Sequence, residues 1–184
     1  MVKLLDCTLR DGGYYNVWDF SNNLVTDYLS AMDALNVDYV EIGFRSLKTH
    51  GFKGGYAYST DAFLNGLGIP KSLQNKIGVM INGSELVEAD VELDTILEEL
   101  FVKAEDSPVS LVRVACHVNQ FESCLPAASW LKSKGYQVGF NLMQVADCDE
   151  LEISHLAKKA SQYPLDVLYF ADSMGSLTPK ETTK

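Results

Sequence analysis

Six short apolar runs, beginning near Lys3, Asp38, Lys76, Leu111, Gln137 and Asp166, recur along the 184-residue chain. They are rich in Val, Ile, Leu, Tyr and Phe and show no polar alternation, as expected of parallel strands covered on both faces. Stripes of helical spacing lie between them: Leu24, Val25, Tyr28, Leu29, Met32 and Leu35; Ile96, Leu97, Leu100 and Phe101; Phe121, Cys124, Leu125, Ala128 and Leu131; and, more weakly, Leu151, Leu156, Ala157 and Ala160. Residues 51–70, rich in Gly and Tyr, lack a period and read as a long loop with a short helix. This rhythm permits two α/β architectures. The runs start roughly every 31 residues, the length of one unit in a (β/α)8 TIM barrel. That predicts an incomplete barrel of about six βα units, with residues 1–184 forming the N-terminal part of a longer protein and stopping before units seven and eight. Thr178-Pro179-Lys180-Glu181, a capping box with Pro at the first helical position, predicts a helix cut short within its opening turns. The rival is a complete doubly wound sheet of the flavodoxin kind. No G-x-G-x-x-G follows any run, so the dinucleotide-binding version of that fold has no support.

Composition narrows the function classes. Hydrophobic residues make up 47% and charged residues 22%, which describes a chain with a core rather than a disordered one. Acids outnumber bases 25 to 15, for a net charge of −10, which argues against nucleic-acid and anionic-membrane partners. A small anionic substrate stays compatible, because one arginine or metal reverses the sign inside a pocket. No apolar run is long enough to span a membrane, and the N-terminus meets Asp6 too early for a signal peptide. Cys7, Cys116, Cys124 and Cys148 make no C-x-x-C pair, and free thiols of this kind point to a reducing cytoplasm.

The densest polar cluster, Asp6-Cys7-Thr8-Leu9-Arg10-Asp11-Gly12-Gly13-Tyr14-Tyr15-Asn16, follows the first run. Period-two alternation predicts Asp6, Thr8 and Arg10 on one face of an extended strand, with Asp11 at its break. In parallel α/β folds the C-terminal strand ends hold the active site. An Arg beside an Asp reads equally as a salt bridge closing a barrel mouth. Thr8-Leu9-Arg10-Asp11-Gly12 resembles the first-strand motif of the DRE-TIM metallolyases, a superfamily of TIM-barrel aldolases, lyases and Claisen-type synthases. Three further stretches are similar to its 4-hydroxy-2-oxovalerate aldolase branch: Val112-Arg113-Val114-Ala115-Cys116-His117, Gly139-Phe140-Asn141-Leu142-Met143, and Tyr169-Phe170-Ala171-Asp172-Ser173-Met174-Gly175. They fall in order on the first, fourth, fifth and sixth runs.

The resemblance implies a carbon–carbon lyase acting on a small 2-oxo acid. A divalent cation, Mn2+ or Mg2+, would stabilise the enolate left when the bond breaks. Asp11 matches the metal ligand, a hard oxygen donor suited to these ions. Arg10 matches the donor to the enolate oxygen. Asp172 and Ser173, at the end of the sixth run, would bind substrate at the same mouth, although Asp172 reads equally as the cap of the next turn. The family's His-x-His metal pair on the seventh strand is expected beyond Lys184, since His50, His117 and His155 are not so spaced. The chain alone is therefore expected to hold metal weakly and to be inactive. The family likeness also implies pairing with an aldehyde dehydrogenase, for which no feature marks an interface. Open strand edges where units seven and eight belong would invite pairing with another copy.

Tyr14 stands where the aldolase branch carries its catalytic His. With a reference pKa of ~10, a tyrosine serves as a hydrogen-bond donor or an orienter of substrate oxygen rather than as a base. This departure keeps two alternatives open: a Claisen-type synthase or carboxyltransferase using the same enolate, and a non-catalytic barrel relic acting as a binding module. His117, ending the fourth run, is a candidate acid/base or else a locally satisfied histidine. Asn141 replaces an apolar residue of the aldolase branch and is a candidate substrate contact. Arg113, mid-strand, is expected to point inward and pair with Asp6 or Glu41. Glu41, an acid inside an apolar run, needs such a partner. Tyr14, Tyr15, Trp18 and Phe20 read as a loop packed on the barrel top, and His50 and His155 carry no role.

Overall fold

The apolar runs form six strands in the computed structural model, which describes residues 2–48, 51–87 and 91–180. These are β1 (Leu5–Asp6), β2 (Tyr39–Phe44), β3 (Ile77–Asn82), β4 (Val109–His117), β5 (Gln137–Met143) and β6 (Val167–Ala171). The helices are α1 (Thr8–Asn16), α2 (Asn22–Leu35), α3 (Asp61–Asn65), α4 (Gly83–Val87), α5 (Leu93–Leu100), α6 (Val118–Cys124), α7 (Pro126–Ser133) and α8 (Glu150–Ala160). His50, and Glu181 of the capping box, lie outside the described residues.

Each strand pairs in parallel with its predecessor, in the order β1-β2-β3-β4-β5-β6. A doubly wound sheet reverses direction partway across; this sheet does not. It also curls. Tyr39 on β2 hydrogen-bonds Gln137 on β5 across the concave face, and Arg113 on β4 reaches Glu41 on β2. The architecture is an incomplete TIM barrel, with helices outside and a partly polar concave side.

Local chemistry explains the elements. Ser21 caps α2 by accepting from the Leu24 amide, and Asn36 ends it in the left-handed conformation (φ 49°). Val25, Leu29 and Met32 form the buried stripe of α2, each contributing roughly 1.5–3 kcal/mol by leaving water. The first run departs from expectation. The Asp6 carboxylate accepts from the Thr8 amide (2.9 Å) and hydroxyl (3.2 Å), and the Asp11 amide closes a helical turn on the Cys7 carbonyl (2.9 Å). The strand therefore stops at Asp6, and Thr8, Arg10 and Asp11 lie on α1 instead of on one pleated face.

A bulge sets the direction of β2. Its pairing with β3 shifts register between Glu41 and Gly43. Glu41 and Phe44 are three apart, so a regular pleat would place them on opposite faces. The extra residue lets both serve the concave side. Beyond the bulge, a Cβ on Gly43 would lie 2.0 Å from the Tyr56 carbonyl oxygen and 2.6 Å from Ser59 Oγ. The 55–59 segment thus packs directly on this strand. Gly43→Ala is expected to cost about 1–3 kcal/mol through overpacking against backbone, read as a lowered urea midpoint. An unchanged midpoint would show that the segment yields.

Candidate active site

Alternate residues of the central strands face the concavity. Met80 and Asn82 come from β3, Ala115 and His117 from β4, Asn141 and Met143 from β5, and Ala171 from β6. Together with Arg10, Asp11 and Tyr14 on α1, Phe44, Ser84, Gln120 and Ser173, they line a cavity of about 690 Å³ at the C-terminal ends of the strands. Six of the seven residues singled out from the sequence thus meet in one place. Asp172 stands apart: its Oδ1 accepts from the Ser176 amide and hydroxyl, and its Oδ2 from the Leu177 amide. These backbone donors hold its carboxyl below the ordinary range. It caps the turn after β6 and does not line the cavity.

Beneath the cavity runs a chain of charge-assisted hydrogen bonds. Glu41, with no exposed surface, accepts from Arg10 Nε (2.7 Å) and, through both oxygens, from Arg113 Nη1 (3.1 and 3.0 Å). Arg113 Nη2 donates to Asn141 Oδ1 (3.0 Å), and its guanidinium lies 4.3 Å from the centre of the Tyr169 ring. Glycine at 139 makes room for both, since a Cβ there would sit 3.1 Å from the Arg113 stem and from the Tyr169 ring. Burial works against the Arg10 charge, but Glu41, by proximity and hydrogen bond, outweighs it and holds the Arg10 pKa above its ordinary value. The expected inward Arg113–Glu41 pair is present.

Arg10 also pairs through Nη1 with Asp11 Oδ1, and its carbonyl accepts from Trp18 Nε1 (2.9 Å). Asp11 Oδ2 accepts from the Cys7 thiol (3.3 Å). Burial, then that hydrogen bond, pushes the Cys7 pKa up to about 11, so this thiol is no nucleophile at neutral pH. Tyr14, 65% exposed, packs edge-on against Trp18 and Phe44. Trp18 is buried, whereas Tyr15 projects into solvent. His117 Nδ1 lies 3.0 Å from Gln144 Oε1; because a carbonyl oxygen only accepts, the tautomer that makes this bond carries its hydrogen on Nδ1 and its lone pair on Nε2. His155, on α8, pairs with Glu122 outside this cavity.

Among the described residues Asp11 is the one carboxylate lining the cavity, and no group of three or more His, Cys, Asp or Glu side chains is placed to hold a metal ion. Mg2+ requires near-octahedral oxygen coordination, so the residues described here do not form such a site by themselves. Phe44, Asn82, Ser84, Gln120 and Gln144 escaped the sequence reading. The period-two pattern, extended two residues past Met80, would have found Asn82. Arg45 also passed unnoticed. It is buried on the outer side of the sheet, bonded to the Ser59 carbonyl and to Asp61 (2.6 Å), and has a structural role.

No family model matches the chain. It is 27% identical over 180 residues to 4-hydroxy-2-oxovalerate aldolase 2 of Rhodococcus opacus (strain B4), covering 97% of this chain and 49% of that protein. It is 25% identical over 190 residues to 4-hydroxy-2-oxovalerate aldolase of Pelotomaculum thermopropionicum, covering 100% and 51%. Oxaloacetate decarboxylase of Mycobacterium tuberculosis matches at 20% identity, over 98% of this chain and 51% of that protein. Among solved structures, the "N-terminal domain of a putative aldolase from Bacteroides vulgatus" superposes with a TM-score of 0.68 at 27% identity, over 90% of this chain and 62% of that one. The chain spans about half the length of the curated relatives it matches. No helix among the described residues is long and apolar enough to cross a membrane. The chain is thus similar along its whole length to curated 4-hydroxy-2-oxovalerate aldolases, and its six parallel strands in barrel order match the fold of an aldolase N-terminal domain, with an Arg–Asp pair at their C-terminal mouth.

Proposed function

We propose that this chain carries the enolate-stabilising side of an aldolase site that cleaves a small 4-hydroxy-2-oxo acid to pyruvate and an aldehyde. The observation that carries this reading is the state of Arg10. Two of its nitrogens are anchored, on Glu41 and Asp11, while Nη2 has no partner among the described residues and the side chain lines the cavity. When the C3–C4 bond breaks, its electron pair moves into the 2-oxo unit and negative charge develops on the carbonyl oxygen. A fixed guanidinium donor aimed at that oxygen lowers the barrier without having to reorganise. The proton on the 4-hydroxyl must leave as the bond breaks. His117 Nε2, left as an acceptor by the bond to Gln144, is the candidate base, and Tyr14 is the candidate donor that orients substrate oxygen. Ser173 and Asn141 contribute neutral polar contacts at the same mouth.

The divalent cation implied by the family likeness would find one oxygen ligand here, Asp11, and no step above depends on it. Calorimetric titration of the 184-residue chain with Mn2+ is expected to give no saturable site; a stoichiometric isotherm would overturn that expectation. Release of pyruvate from 4-hydroxy-2-oxopentanoate by the whole protein tests the activity. A protein that neither releases pyruvate nor binds Mn2+ saturably would instead be a binding module on a barrel scaffold.

A further inference from the structure

The hydrogen-bonded chain below the cavity has two ends. One is Arg10 and the other is Asn141, linked through Glu41 and Arg113. A guanidinium has donors only, so the Asn141 group that meets Arg113 must be its carbonyl oxygen. That fixes the amide orientation and turns the Nδ2 hydrogens away from Arg113. Nδ2 has no partner among the described residues, Asn141 is only half-buried, and it lines the same cavity as Arg10. Both ends of one braced chain therefore offer unspent donors to a single ligand.

The ends differ in charge. Arg10 is the one Arg or Lys among the residues lining the cavity, and Arg113 behind Asn141 is already matched by Glu41. Around Asn141 the lining carries no Arg or Lys: Ala115 and His117 on adjoining β4, Met143 on β5 and Ala171 on β6, with Asn82, Ser84 and Gln120 beyond. The Gln120 carbonyl oxygen accepts from the His117 amide, which leaves its NH2 group as another neutral donor. A second carboxylate would find at this end no Arg or Lys among the lining residues, and behind them only Arg113, already held by Glu41.

From this we infer that Asn141 is a specificity-determining residue, donating through Nδ2 to a neutral hydroxyl oxygen that the substrate carries beyond its 2-oxo acid unit. The preferred substrate is then a polyhydroxylated 2-oxo acid, whose aldehyde half is a hydroxyaldehyde rather than an alkyl aldehyde. This inference rests on the aldolase reading and narrows it.

The test compares 4-hydroxy-2-oxopentanoate with 4,5-dihydroxy-2-oxopentanoate, which differ by one hydroxyl, titrated into the 15N-labelled 184-residue protein and followed by NMR. The dihydroxy acid is expected to bind about tenfold more tightly, as one added hydrogen bond in a partly exposed site allows. It should shift the side-chain NH2 signals of Asn141 further than 4-hydroxy-2-oxopentanoate does. Asn141→Leu is expected to remove the preference, bringing the two acids to the same affinity. Because that variant leaves Arg113 Nη2 without an acceptor, the wild-type NH2 shift decides the matter if it fails to fold. Equal affinity for the two acids, an unmoved Asn141 signal, or a preference surviving in Asn141→Leu would overturn the inference and leave the aldolase reading intact. Binding of neither acid would overturn both.

Discussion

Glu41→Ala is expected to destabilise the protein by about 3–5 kcal/mol, the usual result of removing one partner from a buried ion pair. Glu41 has no exposed side-chain surface, and its two partners, Arg10 and Arg113, expose 12% and 6% of theirs. Without the carboxylate, two guanidinium groups share a confined space with only Asp11, on the Arg10 side, to offset them. Arg113 is the more affected, because its Nε already lacks a hydrogen-bond partner among the described residues. A domain is commonly stable by only about 5–15 kcal/mol, so the loss should appear as a large fall in the urea midpoint. Glu41→Gln preserves shape but not charge and should give most of the same effect. The double variant Glu41→Leu with Arg113→Met should recover much of the loss, since replacing a buried pair by apolar groups is often neutral or stabilising. A Glu41→Ala protein within about 1 kcal/mol of wild type, below the range expected for a broken buried pair, would show that water reaches this pair and screens it.

The second large effect is expected at Arg10. In the polypeptide that carries the activity, Arg10→Lys should lower kcat by about 10²-fold, the scale seen when a transition-state oxyanion loses one fixed donor. Net charge is unchanged by this substitution, so the loss tests geometry. A planar fork holds Glu41 and Asp11 from separate nitrogens and, in the proposed role, gives its third to a substrate oxygen, whereas an ammonium group on a flexible stem cannot occupy all three positions. KM should move much less, because the lost contact matters most as charge develops. Turnover near the wild-type value would remove Arg10 from the reaction.

Much of this arrangement was legible in the residues, and the reasons differ from case to case. The strands β2 to β6 begin within two residues of the apolar runs that announced them, because burial on both faces leaves a dense compositional mark. The Glu41–Arg113 pair was equally open to inference, since a charge in such a run must have an opposite charge nearby. The first run misled because an Asp and a Thr two residues apart offered the backbone a local alternative to the pleat. Neutral residues such as Asn82, Ser84 and Gln120 make no comparable demand for a partner. Parallel register brings Asn82 to the cavity, and the helices that follow β3 and β4 carry Ser84 and Gln120 there; register is set by contacts between segments some thirty residues apart or more. The bulge that aims Glu41 and Phe44 to the same side leaves no mark in the sequence at all.

Because each strand pairs only with its neighbours in the chain, the sheet can lengthen by one ribbon at a time as synthesis proceeds from the N-terminus. Arg10 leaves the ribosome ahead of Glu41, but Arg113 follows 72 positions later. A nascent chain thus holds its central acid with one of its two cationic partners until the fourth ribbon emerges, and the arrival of the second seals the floor of the bowl.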